Sequence, residues 1–60
     1  MSATLEVRVK RLTADAALLV YEGEEEWVAL SLIDTDDVLR EGEDAEVTIR
    51  SWKLREIGWE

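Results

Sequence analysis

The sequence predicts a mainly β domain: a small antiparallel sheet of four to five short strands, curled into a partly open barrel and closed by a short C-terminal helix. Three observations carry that expectation. Apolar and polar residues alternate with period 2 near both ends of the chain, a six-residue apolar run lies between two turn signals, and a helical stretch ending at Gly58 closes the sequence.

Leu5, Val7 and Val9 alternate with Glu6, Arg8 and Lys10, the pattern of a half-buried strand, here expected over about Thr4 to Leu12. Thr13-Ala14-Asp15 reads as a turn. Ala16-Ala17-Leu18-Leu19-Val20-Tyr21 is apolar on both faces, which suits a central strand or a barrel stave. Glu22-Gly23-Glu24 is a hairpin turn in which Gly23 supplies positive φ. The third strand is expected over Glu26-Trp27-Val28-Ala29-Leu30, with Trp27 and Ala29 facing away from Val28 and Leu30. Ser31-Leu32-Ile33 then leaves the sheet in a tight turn, and 34–42 reads as a loop with at most one helical turn. Ala45, Val47 and Ile49 alternate with Glu46, Thr48 and Arg50 as a further strand. Ser51 is the expected N-cap of a helix over Trp52–Ile57, and Gly58 its stop signal. This order of elements in one domain, 1–60, matches an SH3-like small barrel. The expected core is Leu5, Val7, Val9, Leu18, Val20, Val28, Leu30, Ile33, Val47, Ile49, Trp52 and Ile57, because slipping either alternating strand by one residue would bury charge.

Composition narrows the function classes. The 60 residues hold 7 Lys and Arg against 15 Asp and Glu, a net charge of −8, with 47% hydrophobic residues. That hydrophobic share argues for a folded acidic domain and against an acidic disordered tail. Pro, Phe, Asn, Gln, Cys and His are absent, so disulfides, a thiol nucleophile, an imidazole base and the usual zinc ligand sets are excluded. No apolar run approaches a membrane span and no signal-peptide pattern is visible, so a cytoplasmic protein is expected. A chain this short buries only about 60% of its unfolded surface. It is therefore expected to carry no hydrolase or transferase activity, and no cofactor.

The charge is segregated. Residues 22–46 hold eleven acids and one base, Arg40, while residues 1–21 and 47–60 each carry +1. Glu22, Glu24, Glu25, Glu26, Asp34, Asp36, Asp37, Glu43 and Asp44 are the candidate acidic binding face, with Glu41 and Glu46 in the same stretch. Such a face suits docking on a basic protein surface, in the manner of a phosphate row, because complementary charge steers association. A calcium loop fails on spacing: counted from Asp34, position 5 is Val38, position 6 is Leu39 and position 12 is Ala45. The acidic turns thus give no metal site. The alternative reading is direct nucleic-acid binding through Arg8, Lys10 and Arg11 with Arg50, Lys53 and Arg55, aided by an aromatic for stacking. A net −8 opposes it. Of the 3 tryptophans, Trp27 and Trp52 are expected in the core. Trp59, following Gly58, is expected at the surface as an interface anchor, with a homodimer as one use and packing over Leu54 as the other outcome.

One resemblance spans about residues 5–57. The aliphatic run Ala17–Val20, the G-x-E-x-W hairpin at Gly23, Glu25 and Trp27, Ser31 with Ile33, the strand Ala45–Ile49 and Trp52 together resemble a set of small bacteriophage and prophage proteins. Those often carry Pro where this chain has Ala29 and Ser51. The resemblance implies a small β domain from a phage gene neighbourhood and supplies no activity. It brings no catalytic residue with it.

Overall fold

The computed structural model describes residues 2–59. Its elements run β1 (Ser2–Leu12), β2 (Ala16–Tyr21), β3 (Glu24–Ala29), a 3₁₀ turn (Leu30–Leu32), β4 (Ile33–Asp34), β5 (Asp44–Arg50) and α1 (Ser51–Ile57). The five strands form one antiparallel sheet in the order β3-β2-β1-β5-β4. Because β3 and β4 do not pair, the sheet is a partly open barrel with a short C-terminal helix, as the alternation predicts.

β1 organises the sheet. Its first part pairs with β5, from Ser2 opposite Arg50 to Arg8 opposite Asp44, and its second part pairs with β2. Eleven straight residues would reach roughly 34 Å, beyond the longest principal extent of 25 Å. The strand bends instead at a bulge between Val9 and Arg11. The extra residue also switches which parity faces inward: Val7 and Val9 are buried before it, and Leu12 packs on the core after it. The bulge is held by the segment before β5. Val9 N–H donates to the Glu43 carbonyl (2.9 Å), Gly42 N–H to the Val9 carbonyl (2.6 Å), and Leu12 N–H to the Glu41 carboxylate (2.8 Å).

The β2–β3 hairpin turns through two residues, Glu22 (φ 50°) and Gly23 (φ 82°), with Tyr21 opposite Glu24. Both central residues at positive φ give the turn whose twist matches the flanking strands.

The core comprises Val7, Val9, Ala17, Leu19, Val28, Ala45, Val47, Ile49, Leu54 and Trp59. Leu5, Leu30, Ile33 and Ile57 are partly buried against it, as expected of them. Several expectations change. The third strand ends at Ala29, Leu30–Leu32 form the 3₁₀ turn, and Ile33–Asp34 stay in the sheet, paired with Ile49 and Thr48, because the turn delivers the chain to the edge of β5 instead of out of the sheet. In β2 the inward residues are Ala17 and Leu19, while Leu18 and Val20 are half-buried on the outer face. The β1–β2 register sets this parity by placing Leu19 opposite buried Val9, and the bulge then brings Leu12 opposite Ala17. Trp27 and Trp52, expected inside, are about half exposed, and Trp59 takes the second of its two expected places, packed in the core with Leu54 and only 7% exposed, so it is not a surface anchor. Finally, Ser51 is the first helical residue and is buried; Arg50 occupies the N-cap position, without a side-chain cap.

The stop of α1 explains Trp59. Gly58 adopts φ 82°, its N–H donates to the Arg55 carbonyl, and Trp59 N–H donates to the Leu54 carbonyl at 2.8 Å. This paired closure turns the chain back over the last helical turn and commonly brings the residue after the glycine against the one five before it. Here those residues are Trp59 and Leu54, both in the core.

Candidate docking surface

The acidic stretch 22–46 is continuous in sequence and is shared between the two edge strands of the sheet. β3 and β4 do not pair with each other, although only Leu30–Leu32 join them. Glu22, Glu24, Glu25 and Glu26 therefore lie at one edge, and Asp34, Asp36 and Asp37 at the other. Glu43 and Asp44 stand at the entry to β5, where Asp44 accepts from Arg8 at 3.1 Å. Glu25 accepts from Lys10 at 2.6 Å.

The β4 edge carries a recess. An open cleft of about 410 Å³ is lined by Thr4, Asp34, Thr35, Asp36, Asp37, Glu46 and Thr48. Three strands build it. The outer faces of β1 and β5 supply Thr4 and Thr48, whose hydroxyl oxygens are 2.8 Å apart across the pair. β4 stops after Asp34, and side chains of the following loop replace the missing ladder. Thr35 Oγ1 donates to the Glu46 carbonyl (2.7 Å), Asp37 N–H donates to Thr35 Oγ1 (3.0 Å), and Glu46 N–H donates to Asp37 Oδ2 (3.1 Å). Ser, Thr and Asp side chains commonly satisfy backbone groups in this way. The loop is thus pinned to β5, and with it the carboxylates of Asp34 and Asp36, which enter no ion pair among the described residues.

The charge of this cleft is uncompensated. Its lining holds four carboxylates, Asp34, Asp36, Asp37 and Glu46, and no base. Glu6 on β1 lies directly opposite Glu46 on β5, adding a like-charge pair beside it. No group of three or more acidic side chains among the described residues converges closely enough to hold a metal ion. The arrangement is a spread of negative charge over a fixed surface, suited to several cationic groups held at separate positions.

A second, smaller hollow lies at the hairpin end, lined by Tyr21, Glu22, Glu24, Gly58 and Trp59. Sequence reasoning named Glu22 and Glu24 but missed that the C-terminal turn would bring an aromatic corner to them.

The basic residues are dispersed. Arg8 and Lys10 are committed to Asp44 and Glu25, and Lys53, largely covered, lies 3.5 Å from Glu56. Arg11 is exposed on β1 opposite Leu18, and Arg55 is exposed on the helix. Arg50, at the far end of β5, is separated from Arg8 by the whole β1–β5 register, roughly 20 Å of strand. The two basic clusters do not merge into one stripe.

No helix among the described residues is long and apolar enough to cross a membrane. No family model, curated protein or solved structure matches the chain.

Proposed function

We propose that this is a non-enzymatic, cytoplasmic binding protein that docks its acidic surface on a basic protein surface, with its carboxylates standing where a nucleic-acid backbone would place phosphates. The observation that carries this reading is the β4-edge cleft: Asp34, Asp36, Asp37 and Glu46 line it without a single base, on a loop pinned by hydrogen bonds. A preorganised charged surface binds with less ordering cost than a flexible acidic run. Complementary charge raises the association rate and makes it fall with salt. The resemblance to phage proteins supports an inhibitor or adaptor role against a nucleic-acid-handling enzyme. Direct nucleic-acid binding is the weaker reading, because three of the six candidate bases are engaged by neighbouring acids.

The test is capture of the partner from cells of the source, followed by its association kinetics. Asp34→Asn with Asp36→Asn should lower the association rate severalfold with little change in unfolding midpoint, and added salt should slow the wild type in the same way. Asp37 is left in place because its carboxylate holds Glu46 N–H. Displacement of a DNA duplex from the partner by the intact protein, and not by the variant, supports phosphate mimicry. An unchanged association rate overturns the reading, and a variant that gains DNA affinity in a gel shift replaces it with the nucleic-acid one.

A further inference from the structure

We infer that the outer edge of β3 is a docking strip for an extended segment of a second protein, one in which basic and apolar residues alternate, and that the segment adds to the sheet as a further strand. The site is separate from the β4-edge cleft and stands or falls without it.

β3 ends the sheet and pairs with β2 alone. The two-residue turn makes Tyr21 and Glu24 a hydrogen-bonded pair, and bonded pairs then recur at every second residue. Glu24, Glu26 and Val28 therefore direct their main-chain groups to β2. Leu30 N–H continues the series by donating to the Asp15 carbonyl at 2.9 Å. Glu25, Trp27 and Ala29 point theirs the other way. All three residues are exposed, and their N–H groups meet no acceptor among the described residues. Such a row supplies the hydrogen bonds for an added strand, while the side chains beside it decide which strand is accepted.

Those side chains carry unanswered charge on one face and an aromatic ring on the other. Alternation puts Glu24 and Glu26 on one face of β3 and Trp27 on the opposite one. Across the hairpin Glu24 faces Tyr21 and Glu26 faces Leu19, so β2 brings no base to either carboxylate. Neither enters an ion pair among the described residues. Their neighbours on the other side belong to the added strand, where a lysine or arginine opposite each would complete a cross-strand pair. Glu25, on the Trp27 face, already accepts from Lys10. Trp27 is half exposed beside Leu18 and offers apolar surface to the residue that stands between the two bases. The strip is ordered before anything binds, since buried Val28 anchors the strand and the tight turn fixes its start. An acidic segment would be repelled, and a proline-rich one lacks the N–H groups that the outward carbonyls need.

The experiment titrates the ¹⁵N-labelled protein with a blocked peptide of alternating lysine and valine, as long as β3, and follows each β3 amide by chemical shift and hydrogen exchange. The glutamate–valine and lysine–proline counterparts and sodium chloride serve as controls. The lysine–valine peptide should bind saturably, move the amide protons of Glu25, Trp27 and Ala29 downfield and slow their exchange severalfold. Smaller shifts are expected at Glu24, Glu26 and Val28, whose amides are already bonded to β2. Glu24→Gln and Glu26→Gln should each weaken binding about twofold to fivefold, and added salt should weaken it too. Absence of saturable binding, shifts without the alternate pattern, equal binding of either control peptide, or Gln variants of unaltered affinity overturn the proposal. Those failures leave the Asp34- and Asp36-dependent association kinetics unaffected, and loss of that association leaves this titration unaffected.

Discussion

Glu6 and Glu46 stand directly opposite each other on the outer face of β1 and β5, a cross-strand arrangement that destabilises a sheet. Relative to neutral pairs, opposite charges at such positions gain about 0.2–1 kcal/mol. Glu6→Lys should therefore raise the urea midpoint at low salt, with the gain shrinking as salt is added. A midpoint that falls or stays fixed would show that the two carboxylates turn away from each other. Such pairs are invisible in sequence, because Glu6 and Glu46 are forty residues apart and nothing local specifies their register. The tryptophans were also illegible, for a different reason. In Glu24-Glu25-Glu26-Trp27-Val28-Ala29 both faces of the strand carry Glu, so alternation does not say whether Trp27 or Val28 points inward. Size favours Trp27 as a core residue; the pairing of β3 with β2 puts Val28 opposite buried Ala17 and Trp27 opposite outer Leu18.

At the level of elements, the strands with charge on one face were readable and the one without was not. β1 and β5 alternate, and Val7, Val9, Val47 and Ile49 are buried as their pattern demands. β2 is apolar on both faces, so its parity comes from its register on β1, with Leu19 opposite Val9, which no residue in β2 announces. The C-terminal helix was readable through Gly58, but the consequence of that glycine for Trp59 was only half legible. A helix that continued would have carried Trp59 round with Trp52 and Glu56; the left-handed turn takes it back to Leu54 instead. A Cβ at Gly58 would meet nothing within 4 Å, so substitution there costs backbone conformation alone. Gly58→Ala should destabilise by about 1–2 kcal/mol, and Gly58→Asn by less, because Asn tolerates the left-handed region. Chemical denaturation of the two variants checks this ordering. Equal losses would mean that the turn is held by Trp59 packing rather than by glycine's freedom.

For the molecule as a whole, the lopsided charge along the chain becomes two acidic regions on opposite edges of one sheet, with a sparser set of bases between them. The charge excess was plain in the sequence; its division was not, because it follows from β1 lying in the middle and inserting three strands between β3 and β4. The same strand order leaves β3 with one side unpaired. Its outward row of main-chain donors and acceptors is a template onto which another chain could add, and Trp27, half exposed, would help it adhere. Three consecutive glutamates, Glu24 to Glu26, sit on that template. Whatever they bind, they also keep neighbouring molecules apart, since two such edges brought together would confront acid with acid. Glu24→Val with Glu26→Val should consequently yield a chain that forms thioflavin-positive fibrils at concentrations where the wild type stays dispersed. Continued dispersal would mean that the twist of the hairpin alone protects the edge. Acidic side chains of the kind proposed to meet a basic partner would then also stop the protein from recruiting itself.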